Sequence, residues 1–219
     1  MREHAARQVW QAGATARPPL ADARGIASRP RGLLNWLMTE AIRHQYEQLG
    51  AQAFYEQHGA AYRNPHEAAI GAVLRAVVPE WGLDLTRVLD LACGSGEATL
   101  VLRDLGAGQI EGADPYTGAA YLARTGQAAE GFSFEQIAEG ALGGRNYSLV
   151  VCSFAMHLLP VSRLPALLFR LAEVTPQLLI LTPHKRPELK RAWGWNLAQE
   201  KVLERVRARL YQRVGSEPD

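Results

Sequence analysis

Two glycines and two acids near the middle of the chain, with two histidines further on, have types and spacing suited to chemistry. The run Val88-Leu89-Asp90-Leu91 leads into Ala92-Cys93-Gly94-Ser95-Gly96-Glu97-Ala98, and a helical pattern follows. A strand, a tight glycine turn and a helix N-terminus together make a site for a nucleotide-like ligand at the C-terminal ends of strands. A dinucleotide fingerprint asks for Gly or Ala at the third glycine position, and Thr99 stands there instead. No G-x-x-x-x-G-K-[ST] occurs, which excludes phosphate-loop nucleotide hydrolysis. Asp114 ends a second apolar run in EGADPY, 20 residues after Gly94. A carboxylate at such a tip accepts both hydroxyls of a ribose, although an Asp that merely opens a turn before Pro115 is the plainer alternative. His157 in SFAMHLLP and His184 in TPHKR follow two later apolar runs. Neutral imidazoles there suit general-base work, or simply polar loop positions.

These residues need a scaffold, and the periodicities supply one. Asn64-Pro65-His66-Glu67 reads as a helix start with Asn64 at N-cap and Glu67 closing a capping box; the helix runs to about Val78, where Pro79 stops it. Short β-type runs then alternate with helical patterns. Strands are expected at Val88–Leu91, Gln109–Ala113, Phe132–Gln136, Leu149–Phe154 and Leu178–Thr182. Helices are expected at Glu97–Leu105, Thr117–Arg124 and Ser162–Val174. Such alternation implies parallel strands joined by right-handed crossovers, an α/β doubly wound sheet. Near the end, Val206, Ala208 and Leu210 alternate with Arg205, Arg207 and Arg209, which predicts an antiparallel edge strand with its arginines outward. The expected organisation is a leader at 1–32, a helical lid at 33–80, a cofactor-binding domain at 81–213 and a tail at 214–219.

The stretch VLDLACGSGEA closely resembles the first motif of class I S-adenosylmethionine-dependent methyltransferases, a Rossmann-like fold, with Ala98 in place of the last glycine. The resemblance implies S-adenosylmethionine as cofactor and S-adenosylhomocysteine as product. It implies that Asp90 faces the positively charged amino acid part of the cofactor. Ala92, Cys93, Gly94 and Gly96 let the backbone approach its sulfonium end, and Asp114 takes the ribose. Pro115 follows Asp114; Tyr116, by its position just after them, either stacks on or edges the adenosine or packs in the core. FSFEQIAEGAL resembles the third motif, which implies that Gln136 holds the adenine amino group and Ile137 packs on the ring, with Glu135 as the competing candidate. YSLVVCSFAMHLLP resembles the fourth, which places Ser153 and Phe154 beside the methionine portion and His157 toward the acceptor. Tyr62, Arg63 and His66 are placed to fold over the cofactor, Arg63 pairing with its carboxylate, or else simply neighbour a helix cap made by Asn64 and Glu67. YRNPH, DPYTGAAY, CSFAMHLLP and TPHKRPEL together resemble a group of methyltransferases without an assigned substrate, over roughly residues 45–213. Methyl transfer needs a base only where the nucleophile must lose a proton; His157 and His184 are the candidates.

Composition narrows the class further. The chain has 219 residues, 47% apolar, with a net charge of +2 and two cysteines, Cys93 and Cys152. That length supports a real core without disulfides, and two free thiols fit a reducing cytoplasmic setting. No metal site is expected, because neither thiol has ligand company at metal-binding spacing. No apolar run is long enough to span a bilayer. The charge is divided into +4 over residues 1–36, −6 over 37–183 and +4 over 184–219. An acidic body argues against a dedicated nucleic-acid binder. The leader is rich in Ala, Arg, Pro and Gly, and reads as a disordered tail. Pro18-Pro19 interrupts the amphipathic helix that a mitochondrial targeting segment needs, and Met38 is a candidate initiator.

The methyl acceptor is expected to be a small molecule. An Asp/Asn-Pro-Pro-aromatic turn, used on adenine amino groups, is replaced by Ser153-Phe154-Ala155-Met156. The Pro-Cys of cytosine C5 enzymes is absent, since Cys152 follows Val151. An RNA or protein acceptor remains the alternative, supported by Lys185, Arg186, Lys190, Arg191, Arg205, Arg207 and Arg209 interleaved with Trp193, Trp195 and Tyr211. A non-catalytic cofactor-binding regulator is the second alternative.

Overall fold

A computed structural model describes Gly59 and residues 63–215 of the chain. The leader at 1–32, the lid up to Tyr62 apart from Gly59, and residues 216–219 of the tail lie outside the described residues.

A six-stranded sheet forms the centre. Its strands are β1 (Arg87–Leu91), β2 (Gln109–Ala113), β3 (Leu149–Ser153), β4 (Gln177–Thr182), β5 (Trp195–Leu203) and β6 (Val206–Arg213). They lie in the order β2-β1-β3-β4-β6-β5. β1 pairs parallel with β2 and with β3, and β3 parallel with β4, while β6 runs antiparallel between β4 and β5. The helices are α1 (Glu67–Glu80), α2 (Glu97–Asp104), α3 (Gly118–Thr125), α4 (Phe134–Ala138) and α5 (Leu164–Val174).

Alternation along the strands builds two cores, because successive side chains point to opposite faces. Leu89, Leu91, Val150, Cys152, Leu178 and Ile180 pack with Ile137 of α4 and with Leu164, Leu167, Leu168 and Leu171 of α5. Val88, Leu149, Val151, Leu179 and Leu181 pack with Ile70, Val73, Leu74 and Val77 of α1 and with Val101 and Leu102 of α2. Both faces of the parallel strands are therefore covered, which is why these strands read as near-continuous apolar runs. Each of the four α5 leucines is at most 1% exposed, and burying one contributes about 1.5–3 kcal/mol. No helix among the described residues is long and apolar enough to cross a membrane.

Three expectations need correction. The third strand predicted at Phe132–Gln136 does not form. Glu130 makes one parallel bridge to Ala113, and the chain then turns into α4. Ser133 and Gln136 form a reciprocal capping box there, Ser133 Oγ accepting from Gln136 N and Gln136 Oε1 from Ser133 N. That local signal outweighed the apolar residues that suggested a strand.

α1 starts at Glu67 with His66 at its N-cap, and Asn64 Oδ1 accepts from His66 N instead of capping the helix. Pro79 sits inside its last turn.

The predicted closing strand at 205–211 is half of a hairpin, and its partner β5 takes the sheet edge. Arg209 is not outward but 5% exposed. Both faces of β6 are covered: α1 lies against one, and the segment 183–190 crosses the other.

Candidate functional site

The C-terminal ends of β1, β2 and β3 open on a cavity of about 420 Å³. One wall is the glycine turn and the tip of β2, with Ala92, Cys93, Gly94, Asp114, Pro115 and Tyr116. The opposite wall is Ser153, Phe154 and Ala155 after β3, with Leu158, Leu159 and Pro160 beyond. Phe132, Ser133, Phe134 and Glu135 close the α4 side, facing Arg163.

Backbone strain marks both strand ends. Ala92 has φ +55° and Phe154 has φ +57°. Non-glycine residues pay of order 1–3 kcal/mol for that region, and such residues gather at functional sites. Gly96 has φ +88°, and a Cβ there would stand 2.5 Å from Thr125 Cγ2, so only glycine fits between α2 and α3.

Hydrogen bonds join the two sequence motifs into one object. Asp114 Oδ2 accepts from Gly94 N at 3.2 Å, and Oδ1 accepts from Tyr116 N and Thr117 N at 2.9 and 3.0 Å. The carboxylate at the tip of β2 thus shapes the glycine turn as well as its own loop.

Asp90 has a different place from the one expected. It is fully buried and not on the cavity wall. Its Oδ2 accepts from Thr99 N and Thr99 Oγ1 at 3.0 and 2.7 Å, pinning α2 onto β1. Thr99, the residue that breaks the dinucleotide fingerprint, therefore has a structural use. Asp90 Oδ1 is buried and has no hydrogen-bond partner.

Burial pushes the Asp90 carboxyl up to about 7, against the Thr99 hydrogen bonds and with help from the Glu97 and Asp114 carboxylates. The folded chain thus keeps a proton that the unfolded chain loses near pH 3.8. Asp90 consequently costs stability progressively as pH rises from that value through about 7. Asp90→Asn should gain stability relative to the parent between about pH 5 and about pH 8, by urea denaturation at both. A constant difference across that range would contradict the assignment.

Glu97, which sequence reasoning overlooked, is on the cavity wall and 3% exposed. Its Oε1 accepts from Asn64 N at 3.0 Å and from Arg124 Nη1 at 3.3 Å, and its Oε2 from Ser95 N at 3.1 Å. Ser95 Oγ also donates to it. Arg124 further pairs with Glu67. One carboxylate thus ties the start of α1 to the glycine turn and α3. Its signal in the sequence was an acid at the first position of a helix, where the dipole favours negative charge. Gly59 lies against the same loop, since a Cβ there would stand 2.3 Å from the carbonyl oxygen of Tyr116.

Several named residues stand elsewhere. Gln136 is engaged in the α4 cap and Ile137 is fully buried in the core; neither is on the wall, which carries Glu135 instead. Arg63 is exposed and off the wall. Tyr62 lies outside the described residues.

His157 and His184 come together with ring centroids 4.5 Å apart. Neither is on the wall itself, although Ala155 and Leu158 on either side of His157 are. His157 Nδ1 is buried without a partner. Burial and the neighbouring His184 hold the His157 imidazole down to about 4, so it is neutral at pH 7. His66 stacks on Phe154 at 4.9 Å. Cys93 and Cys152 are free and buried, and burial pushes both thiols up, Cys152 to about 12. No group of three or more His, Cys, Asp or Glu among the described residues is arranged to hold a metal ion.

The charge of the wall tests which cofactor fits. Three carboxylates, Glu97, Asp114 and Glu135, face one guanidinium, Arg163, which Glu135 already pairs at 2.8 Å. Such a wall disfavours a diphosphate and suits a ligand carrying a sulfonium and an ammonium. Residues Gly94, Asp114, Glu97 and Phe154 fit S-adenosylmethionine on that ground.

Comparison with known proteins agrees with the geometry. A family profile described as a methyltransferase domain matches residues 38–214. The uncharacterized protein C17A5.05c of Schizosaccharomyces pombe is 30% identical over 241 aligned positions, covering 82% of this chain and 97% of that protein. The crystal structure of magnesium protoporphyrin IX methyltransferase from Synechocystis PCC 6803 with bound SAM superposes with a TM-score of 0.53 at 18% identity, covering 80% of this chain and 96% of that one. A SAM-dependent methyltransferase from Aquifex aeolicus gives 0.50 at 15% identity, covering 68% and 98%. The chain belongs to the methyltransferase-domain family and has the class I fold of S-adenosylmethionine-dependent methyltransferases.

Proposed function

We propose that this S-adenosylmethionine-dependent methyltransferase acts on a small-molecule acceptor that enters between the β3 and β4 tips. The observation that carries this reading is the division of the cavity. Its inner wall is acidic and backbone-rich, and its outer wall is apolar, with Leu158, Leu159 and Pro160. A volume of about 420 Å³ is of the size that small-ligand sites have. S-adenosylmethionine supplies an electrophilic methyl on a sulfonium, which an aligned nucleophile takes in line. The chain's own part is to align and to exclude water. Gly94 N and the Asp114 carboxylate fix the inner end, the Phe154 ring with His66 stacked on it covers the outer end, and Leu158 and Leu159 keep the rim dry.

The RNA or protein alternative relied on a continuous basic face. Arg209 is buried and Arg207 pairs with Glu200, so that face is interrupted. Incubation with methyl-labelled S-adenosylmethionine tests the choice between a low-molecular-mass extract and an RNA and protein fraction. Label in the small-molecule fraction is expected. Label only in macromolecules would establish the alternative, and cofactor binding without any transfer would establish a regulator.

His157 is the candidate base, because its imidazole is neutral at pH 7, its buried Nδ1 has no hydrogen-bond partner, and Ala155 and Leu158 on either side of it line the cavity. His157→Ala should reduce turnover by about 10²-fold or more where the nucleophile must lose a proton, with cofactor affinity within about twofold of the parent. A base titrating near 4 loses activity as pH falls through that value and leaves the rate flat above it. An inflection near 6.5, or unchanged turnover in His157→Ala, would remove His157 from the reaction.

A further inference from the structure

Topology divides the basic C-terminal segment into two separate places. Thr182, the last residue of β4, pairs with Arg207, so the turn at Glu204-Arg205 stands at the C-terminal edge of the sheet, where the cavity opens. The segment from Pro183 starts at that same edge. Trp195 pairs with Arg213, and Arg213 follows Gln212, which pairs with Gln177 at the start of β4. Lys190 and Arg191, just before Trp195, therefore belong to the opposite edge. The cations at the cavity edge are Lys185, Arg186, Arg205 and Arg207.

Two observations indicate that the first group is built for recognition. The side chains of Lys185, Arg186 and Arg205 are free of carboxylate partners among the described residues; Lys190 and Arg191 at the other edge also lack one, but Lys190 lies over the Trp193 ring and Arg191 donates to Asn196. The loop that carries Lys185 and Arg186 is also held from beneath by a buried charge. Arg209 Nη1 donates to the carbonyl oxygens of Lys185 and Pro187 at 2.8 and 2.9 Å, and its Nε donates to Glu200 at 2.6 Å. Tyr211 Oη accepts from Leu189 N at 3.3 Å, and Thr182 Oγ1 from His184 N at 3.1 Å. Fixing a surface loop this way reduces the ordering cost of binding by the side chains it presents. His184 in this loop touches His157, whose neighbours line the cavity.

We propose that Lys185 and Arg186, with Arg205 at the same edge of the sheet, bind an anionic group of the methyl acceptor, a carboxylate or a phosphate. The acceptor would then lie with its anion on this loop and its nucleophile toward the cavity. Charge complementarity supports this placement: the inner wall attracts the cationic cofactor, and the β4 side attracts an anion. Glu188 and Glu204 are the exposed acids nearby, and Glu200 is already occupied by Arg207 and Arg209. The inference rests on the small-molecule reading above and names its substrate class.

Pyrophosphate and tricarballylate serve as phosphate and carboxylate probes, titrated by calorimetry into the full chain saturated with S-adenosylhomocysteine. At least one is expected to bind, and Lys185→Glu/Arg186→Glu should weaken it at least fivefold. Lys190→Glu/Arg191→Glu carries the same charge change at the other edge and should leave that affinity unaltered. Affinity for S-adenosylhomocysteine should stay within twofold of the parent in both variants, which also verifies the fold. Preference for one probe identifies the phosphate or the carboxylate. Equal weakening by both double variants, or no binding of either probe, would overturn the proposal. So would a short single-stranded RNA that binds through Lys190 and Arg191 as strongly as through Lys185 and Arg186. Loss of S-adenosylhomocysteine binding by the unaltered chain would instead defeat the cofactor reading on which it stands.

Discussion

Asp114→Ala should weaken S-adenosylmethionine binding by about 100-fold while the chain stays folded. The carboxylate receives three backbone amides, from Gly94, Tyr116 and Thr117. Leaving such donors without a partner costs about 1–3 kcal/mol each where they are buried. The glycine turn and the loop carrying Tyr116 would then relax away from the shape that lines the cavity. A ligand hydroxyl would also lose a charged acceptor, an interaction of about 1.5–3 kcal/mol. Asp114→Asn retains one carbonyl oxygen and should lose only about tenfold, which separates charge from shape. Calorimetry measures both affinities, and far-ultraviolet circular dichroism checks the fold. Parent-like affinity in Asp114→Ala would show that the tip of β2 does not hold the cofactor.

Arg209→Met should lower the melting temperature by roughly 10 °C, the largest stability effect expected of a single change in the C-terminal hairpin. Arg209 is 5% exposed, pairs with Glu200 at 2.6 Å and holds two carbonyl oxygens of the loop after β4. Glu200 is 33% exposed and keeps Arg207, so the cost falls on the two loop carbonyl oxygens that lose their donor, at about 1–3 kcal/mol each. For a chain of this size each kcal/mol lowers the midpoint by about 2–4 °C. Pairing the change with Glu200→Gln should add little further loss, since Glu200 is 33% exposed and its remaining partner is Arg207 at the surface. Thermal denaturation of the single and double variants is the check. An unaltered midpoint in Arg209→Met would show that the loop stands without this clamp.

Much of the fold was legible because the parallel strands are buried on both faces. Leu149–Cys152 and Leu178–Leu181 are uninterrupted apolar runs within their strands, and Gln109–Ala113 was bounded correctly by Gly108 and Asp114. The misses have physical causes. Phe132–Gln136 alternates like a strand, but Ser133 and Gln136 cap each other into a helix. Arg209 fell on the polar face of an alternating pattern, and nothing local revealed that the chain at 183–190 covers that face. The glycine turn was legible where backbone geometry restricts the residue type, at Gly96, which itself is off the cavity wall, and the wall was legible where a carboxylate sits at a strand tip, at Asp114. Glu97 was missed because its importance comes from Asn64 and Arg124, which are 33 and 27 residues away along the chain. The meeting of His157 with His184 likewise depends on β3 and β4 being neighbours.

The central claim is that the acidic cavity between the glycine turn and the β3 tip holds S-adenosylmethionine. Calorimetric titration of the folded full chain with S-adenosylmethionine tests it most directly. The account predicts saturable binding at one site per chain, lost to a large degree in Asp114→Ala. Absence of a binding heat across the accessible concentration range, or binding that Asp114→Ala leaves intact, would contradict it.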